Sequence, residues 1–170
     1  MAILKILTYP HPVLRQKAEP VTVFDDELKK LAADMGDTMF DAPGVGLAAN
    51  QIGIARQIVV IDDSTQEEKR IMALVNPVIS GGEGKVAGEE GCLSVRECVA
   101  KVQRFHSIHV SAQDVEGRPI EFDAEDRRAR IIQHEVDHLS GILFIDHLSS
   151  LKRTLYKKKL KKIMEEEGEA

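Results

Sequence analysis

The chain has 170 residues and a formal net charge of −5, with 43% hydrophobic and 30% charged residues. These values are typical of a soluble globular protein with one domain, and the negative charge argues against a general nucleic-acid-binding protein. Cys92 and Cys98 lie too close in sequence to form a disulfide framework, and the N-terminal apolar run is too short for a signal peptide or a membrane span, so we expect a cytoplasmic protein without a membrane segment.

The first half of the chain is predicted to hold one helix and then strands. A short helical turn at 11–18 precedes a helix capped by Asp25 or Asp26, which ends near Ala42 because a proline and a glycine follow. The β-rich block that follows contains no helical pattern, and this favours an antiparallel or mixed sheet over a doubly wound parallel one. Its predicted strands are 57–62, 71–79, 107–114 and 119–123, with a turn at 115–118.

The last third is predicted to contain two more helices. The first starts near Asp123 as its cap and ends before Gly141, a typical C-terminal helix glycine. A short strand at 142–146 and a C-terminal helix from Leu148 complete the order. Helix, strands, helix and tail helix together predict an α+β fold.

His134 and His138 stand four residues apart on the second predicted helix. At this spacing both imidazoles project from one face, so they can reach one metal ion. The motif is short, however, and two ordinary histidines on an amphipathic helix are the competing interpretation. No third histidine or carboxylate follows at the distance that zinc peptidases use.

Cys92 is the candidate third ligand. It lies in "EGCLS", behind a glycine that permits unusual backbone angles, whereas Cys98 has no such surroundings. The competing interpretation of Cys92 is an inert buried thiol. A thiolate with two imidazoles would leave one tetrahedral position open for water, as in catalytic zinc sites.

The stretch "GVGLAANQ" (44–51) has small side chains that let backbone approach a ligand closely. Gln51 at its end can offer an amide donor. A phosphate-binding loop is the rival interpretation, but no Lys-Ser/Thr pair and no dinucleotide fingerprint follows.

Together these three motifs resemble those of the bacterial peptide deformylases. That family carries "GxGxAAxQ", "EGCxS" and "QHExDH", which stand here at 44–51, 90–94 and 133–138 in the same order and spacing. The opening "YPHPVLRQKAEPV" and the C-terminal helix also match. The resemblance implies antiparallel or mixed sheets packed around a central metal-binding helix. It further implies that 1–150 form the catalytic metallohydrolase part and that 151–170 belong to the same single domain.

The resemblance implies removal of the N-formyl group from the formylmethionine of nascent proteins, with release of formate. Cys92, His134 and His138 would bind one divalent metal ion, natively Fe²⁺, with Zn²⁺ or Ni²⁺ as alternatives. A hydroxide on that metal would attack the formyl carbon, with Glu135 as general acid and base. Glu135 could instead be a solvated helix carboxylate. The Gln51 amide and the Leu93 backbone N–H would be the oxyanion donors.

Substrate contacts are also implied by the resemblance. Val45, Gly46 and Gly91 are expected to lie along the extended substrate peptide, and Ile131 is expected in the pocket for the methionine side chain. Arg127 falls on nearly the same helix face, two turns before His134. Its guanidinium either points to solvent, so that only its stem joins the pocket wall, or narrows the pocket.

Four residues depart from the usual family pattern: Arg96, Val99, Arg127 and Arg128. Arg96 replaces a common proline, Val99 replaces an arginine thought to contact the substrate, and the other two replace aliphatic residues. These changes concern substrate contacts, since the expected ligands are all present.

The C-terminal segment combines many lysines with an acidic end. Its basic face is either a solvated helix surface or, as in some bacterial relatives, a ribosome-docking element that binds RNA phosphates. We expect a monomer. Two rival functions are a metallopeptidase, which would cleave unformylated peptides, and a non-catalytic binding module, which would release no formate.

Overall fold

The computed structural model describes residues 2–168. Within them, a five-stranded antiparallel sheet has the order β1-β2-β3-β4-β5, and it is joined by three α-helices and three short 3₁₀ segments. This arrangement confirms the predicted α+β class. The strands are β1 (Gly46–Ala48), β2 (Ile58–Asp62), β3 (Ile71–Cys92), β4 (Val95–Gln113) and β5 (Pro119–Glu125); the helices are α1 (Asp26–Asp41), α2 (Asp126–Leu139) and α3 (Ser150–Glu166); the 3₁₀ segments are Pro12–Arg15, Ala49–Ile52 and Phe144–His147.

Helix α1 begins and ends where the sequence predicts. The Asp25 carboxylate accepts a hydrogen bond from the Leu28 backbone N–H at 3.1 Å, and the C-terminal cap is Ala42. A carboxylate at this position satisfies a backbone donor that the helix cannot pair itself. The helix buries Leu28, Met35 and Met39 in a core cluster with strands β1 and β2.

The long β3–β4 hairpin was not predicted at its full length. The expected strands at 71–79 and 107–114 are extended by the segment 80–106, which pairs almost continuously apart from register shifts. The β3 part of this segment is polar and rich in glycine, and its apolar and polar residues do not alternate. The reason is that most of it is solvent-exposed and buries no apolar face. The hairpin closes at the Cys92–Val95 pair, so the "EGCLS" motif lies at the end of β3 and in the turn after it.

Two predicted boundaries were wrong. Asp123 does not cap α2: it pairs with His109 in β5, which continues to Glu125 because Ala124 is still packed in the core. Helix α2 therefore starts at Asp126. The predicted strand at 142–146 is instead the 3₁₀ segment Phe144–His147.

The reason for this second difference lies in Asp146. Its carboxylate accepts a hydrogen bond from the Leu143 backbone N–H at 3.0 Å and is also bound by Arg15. These contacts close a tight turn, and the consecutive side chains of Leu143, Phe144 and Ile145 are all buried in it. A strand with one buried face would have exposed the middle one.

Helix α2 occupies the centre of the fold. Its buried residues Ala129, Ile132 and Leu139 pack in one cluster with residues of β2, β3 and β4, including Val59, Leu74 and Val110. Gly141 follows the helix with φ of 75°, as predicted for a C-terminal glycine.

Helix α3 lies against a second core cluster. Tyr156 and Leu160 are buried with Phe144 and Val95, and the Tyr156 hydroxyl donates a hydrogen bond to the Arg96 carbonyl at 2.8 Å. The lysines of α3 lie on its exposed side. None of the helices in residues 2–168 has the length and apolarity that crossing a membrane would require.

Candidate metal centre

The side chains of Cys92, His134 and His138 meet between the end of β3 and the C-terminal half of α2. One ligand atom of each lies within 4.8 Å of the others, and both histidines are buried. Cys92 Sγ is 3.4 Å from His138 Nε2, and the two imidazole rings have centroids 5.1 Å apart. The helical i, i+4 spacing and the turn after β3 therefore bring the three predicted ligands together, as expected from the sequence.

A carboxylate orients one of the imidazoles. The Nδ1 atom of His134 is 2.9 Å from the Glu90 carboxylate, which leaves Nε2 as the atom available to a metal ion. Histidine ligands in metal sites are commonly fixed by a carboxylate in this way. A thiolate and two imidazoles are donors that Zn²⁺ and Fe²⁺ accept, so this set could hold a metal ion.

Glu90 is itself held by arginine. Arg104 donates to both Glu90 oxygens, each at 2.9 Å, and Arg104 also reaches Asp137 at 2.6 Å. Burial raises the pKa of Glu90, but the hydrogen bonds from His134 and Arg104 outweigh it and lower that pKa to about 2. Glu90 is therefore ionised at neutral pH, which is the form that accepts a hydrogen bond from an imidazole ligand.

Glu135 directly follows the candidate ligand His134 on α2 and is 5% exposed. Its Oε1 atom is buried without a hydrogen-bond partner among the described residues. Burial raises the pKa of Glu135 to about 7, although the nearby His134 opposes the shift. A buried carboxyl with a pKa near neutrality can both accept and return a proton. The alternative interpretation of a solvated helix carboxylate is wrong for this residue.

Gly46 makes room for Glu135. A Cβ atom at Gly46 would lie 2.6 Å from the Glu135 Oε2 atom and 2.8 Å from its Cγ atom. This contact gives the glycine of the "GVGLAANQ" motif a second role besides allowing a ligand to approach. The fixed backbone of β1 thereby forms one side of the Glu135 site.

Gln51 lies next to Cys92. Its side-chain oxygen accepts a hydrogen bond from the Ala48 backbone N–H at 2.9 Å, so its Nε2 atom is directed to Ser94 Oγ at 3.0 Å and Cys92 Sγ at 3.7 Å. An amide donor is thus fixed beside the candidate metal centre. Leu93 follows Cys92 in the hairpin turn, and its side chain lies against Gly44.

An open groove of about 500 Å³ runs from this centre along α2. We call it the central groove. The predicted substrate residues Val45, Gly91, Ile131 and Arg127 line it together with Glu135. Arg127 is exposed at this groove. Gly46 is not among the lining residues, but it contacts Glu135, which is. The remaining lining includes Val86, Ala87, Gly88, Glu89, Glu90, Phe105, His106, Asp126, Arg130 and His134.

Two arginines of the site were missed by sequence reasoning. Arg104 and Arg130 both bind Glu90, from β4 and α2 respectively. Arg104 belongs to none of the three motifs, so only the fold brings it there. Arg130 could have been noticed, because it stands one helical turn before His134 and therefore on the same helix face.

The comparisons with known proteins agree with this geometry. The family model described as "Polypeptide deformylase" matches residues 3–154. The chain belongs to the polypeptide deformylase family. It is 54% identical to a peptide deformylase of Desulfotalea psychrophila over 164 residues, which cover 95% of this chain and 97% of the relative. The expected family and enzyme class are thus confirmed.

Solved structures of peptide deformylases share the fold. The structure from Legionella pneumophila has a TM-score of 0.91 and 43% sequence identity, and covers 99% of both chains. The structure from Thermus thermophilus has a TM-score of 0.85 and 43% identity, and covers 94% of this chain and 93% of that one. The α+β architecture around α2 is therefore that of peptide deformylases.

Proposed function

We propose that this protein removes the N-formyl group from the formylmethionine of nascent proteins and releases formate, using one divalent metal ion held by Cys92, His134 and His138. The observation that carries this proposal is the meeting of these three side chains beside the buried Glu135 at the end of the central groove. Fe²⁺ is the proposed native ion, and Zn²⁺ or Ni²⁺ can replace it, because a thiolate with two imidazoles accepts all three.

When bound, a divalent ion held by Cys92, His134 and His138 would supply Lewis acidity at this site, and that would make water a usable nucleophile at neutral pH. Glu135 accepts a proton during attack on the formyl carbon and returns it to the leaving amine, which its pKa of about 7 and its burial support. Glu90 keeps His134 in the tautomer that presents Nε2 to the ion.

Negative charge develops on the formyl oxygen as the carbonyl is attacked. The Gln51 Nε2–H and the Leu93 backbone N–H are the proposed donors to that oxygen. Gln51 suits the role because its own oxygen is fixed by Ala48, so its amide does not need to reorient. Loss of one donor of this kind typically raises a barrier by ~2.7–4 kcal/mol.

The central groove is the proposed substrate site. Backbone groups of Val45, Gly46 and Gly91 border the extended peptide, and Ile131 contributes an apolar wall for the methionine side chain. The groove's position next to Glu135 supports this assignment. If the formyl group lies at the candidate metal centre, the rest of the peptide extends into the groove along α2.

The test of the function is formate release. We expect the metal-loaded protein to release formate from formyl-Met-Ala-Ser and to leave both acetyl-Met-Ala-Ser and unformylated peptides intact. Cleavage of an internal peptide bond would support the metallopeptidase instead. Absence of formate from a protein with one metal ion per chain would support a binding module and contradict the proposal.

Arg127 is proposed to weaken recognition of plain formylmethionine peptides. Its exposed position in the groove supports a role in the pocket wall through its stem. One well-packed methylene is worth ~1–3 kcal/mol, or about 10–200-fold in specificity constant. We therefore expect Arg127→Leu to raise kcat/KM for formyl-Met-Ala more than for formyl-Gly-Ala. An equal change of kcat/KM for both peptides, or no change, would show that Arg127 does not form part of the pocket wall.

Ribosome docking through α3 is a further part of the proposal, and its exposed lysines support it. Deleting the helix is a poor test, because Tyr156 and Leu160 belong to the core. We expect replacement of Lys157, Lys158, Lys161 and Lys162 by glutamine to reduce ribosome co-sedimentation at low salt while formyl-peptide hydrolysis stays within about twofold. Unchanged co-sedimentation would contradict docking through these lysines and would support a solvated helix surface instead.

We also propose that the protein acts in the cytoplasm as a monomer and that residues 1–150 and 151–170 form a single domain. The packing of α3 on Phe144 and Val95 supports one domain.

A further inference from the structure

Strand β4 contains a bulge shortly after the turn that follows Cys92. The hairpin changes register between its last two residue pairs, so that residues 96–99 of β4 stand opposite a single residue of β3. We call 96–99 the β4 bulge. Glu97 lies in it with φ of 52°, in the left-handed region that residues other than glycine rarely adopt. Backbone in such a conformation persists only where the surrounding structure holds it.

Helix α3 holds the β4 bulge. The Tyr156 hydroxyl donates a hydrogen bond to the Arg96 carbonyl at 2.8 Å, and Lys159 Nζ donates one to the Glu97 carbonyl at 2.7 Å. The Arg96 side chain also pairs with Glu167, the C-terminal cap residue of α3. Both hydrogen bonds end on backbone carbonyls, so they fix the path of the chain and not only the direction of one side chain.

The β4 bulge lies directly against the end of β3. A Cβ atom at Gly91 would lie 3.5 Å from the Cys98 carbonyl oxygen and 3.7 Å from Val99 Cγ2, which are ordinary contact distances. The bulge therefore supports the residue that immediately precedes Cys92. Cys92 also packs against the apolar cluster that contains Tyr156. Because packed groups transmit displacements, a shift of the bulge is passed on to Cys92.

Cys92 is the candidate ligand whose position depends most on its surroundings. His134 and His138 stand on the same helix, and Glu90 orients one of them. Cys92 instead stands at the end of a strand, where its Sγ accepts a hydrogen bond from the Ser94 backbone N–H at 3.4 Å. A metal ligand has to lie within ~0.2 Å of its proper distance, so small movements of this turn weaken a site.

We propose that Tyr156 and Lys159 are positioning residues of the metal centre: they hold the β4 bulge from α3 and thereby fix the turn that presents the Cys92 thiolate as a ligand. This inference rests on the proposed metal-dependent function. It gives α3 a role inside the protein, separate from the proposed docking of its other lysines. It also gives a role to Arg96, since a proline at that position could not pair with Glu167.

The experiment measures how fast a chelator removes Zn²⁺ from protein loaded with one ion per chain. We expect the double variant Tyr156→Phe/Lys159→Met to lose Zn²⁺ at least ~10-fold faster than wild type, because removing the supports of metal ligands commonly costs ~10–100-fold in affinity. Lys159→Met alone should lose it at least ~3-fold faster, since the Tyr156 bond remains. Lys159→Arg keeps a donor for the Glu97 carbonyl and should stay within about twofold of wild type.

Lys152→Met is the matched control. Lys152 is exposed on α3 and stands seven residues before Lys159, on nearly the same helix face. Its replacement removes the same charge from the same side of the helix, but the two hydrogen bonds to the bulge stay intact. We expect Zn²⁺ release within about twofold of wild type. An equal acceleration in Lys152→Met and Lys159→Met would assign the effect to charge and overturn the inference.

Co²⁺ in place of Zn²⁺ gives a second readout, because a bond between Co²⁺ and a thiolate absorbs in the near ultraviolet. We expect this band to shift or weaken in Tyr156→Phe/Lys159→Met while the far-ultraviolet circular dichroism stays that of wild type. A purely structural role would lower the melting temperature of the metal-free protein but would change neither the band nor the rate of Zn²⁺ release.

Unchanged Zn²⁺ release and an unchanged Co²⁺ band in a folded double variant would overturn the inference and leave both residues as packing contacts of α3. If the double variant does not fold, Lys159→Met decides the question with the same readouts, because Lys159 is exposed. A wild-type protein that binds no metal ion would refute the proposed function itself. A wild type that binds one ion and releases formate, with unchanged Zn²⁺ release in the variants, would refute the positioning role alone.

Discussion

Replacing Cys92 with alanine is expected to abolish high-affinity metal binding, from about one ion per chain to near zero. The reason is geometric: Cys92 Sγ is the sulfur donor within reach of both His134 and His138, and two imidazoles alone make a weak site. Elemental analysis of the purified protein measures this directly. The fold should persist, since the Cys92 side chain is only partly buried at the end of β3.

Cys98→Ala is the matched control. Cys98 lies on the other strand of the same hairpin and is also partly buried, but it is not among the clustered candidate ligands. We expect the Cys98→Ala protein to keep its metal ion and its deformylase activity. Equal metal content in wild type and Cys92→Ala would defeat the ligand assignment.

Replacing Glu135 with glutamine is expected to keep the metal but to reduce formate release by ~10²–10⁴-fold, the usual contribution of a general acid–base group. Glutamine retains the shape that fits against Gly46, so packing should be little changed. It cannot take up a proton at neutral pH. The measurement is kcat for formyl-Met-Ala-Ser at saturating substrate, with metal content determined on the same sample.

Glu125→Gln is the control for this substitution. Glu125 precedes the same helix, is exposed, and makes no side-chain capping hydrogen bond. Its activity should match wild type. A Glu135→Gln protein with near-normal turnover would rule Glu135 out as the proton-transfer group, whereas one that has lost its metal would show that Glu135 acts on metal retention instead.

Much of the candidate site follows from local sequence. His134 and His138 meet because an α-helix places residues four apart on one face, and the thiolate of Cys92 supplies the third donor that two imidazoles lack. These are short-range or chemical arguments that need no knowledge of the fold. The motifs were therefore sufficient to predict that the side chains of Cys92, His134 and His138 lie together.

Long-range contacts were beyond the same reasoning. Arg104 reaches Glu90 only because β3 and β4 form an extended hairpin. The β3 arm of that hairpin is polar, exposed and rich in glycine, so its sequence does not alternate like a half-buried strand. The contact of Arg130 with Glu90 also depends on β3, because that strand brings Glu90 to α2. Likewise, aspartate is a preferred capping residue, which favours a cap at Asp123, but Asp123 occupies an exposed position of β5 opposite His109.

The most direct test of the whole account is a metal titration of metal-free protein under anaerobic conditions, with formate release from formyl-Met-Ala-Ser measured at each point. We predict that activity is absent without metal, rises in proportion to added Fe²⁺, and reaches its plateau at one ion per chain. Full activity in the metal-free protein, or no formate release after one ion per chain has bound, would contradict it.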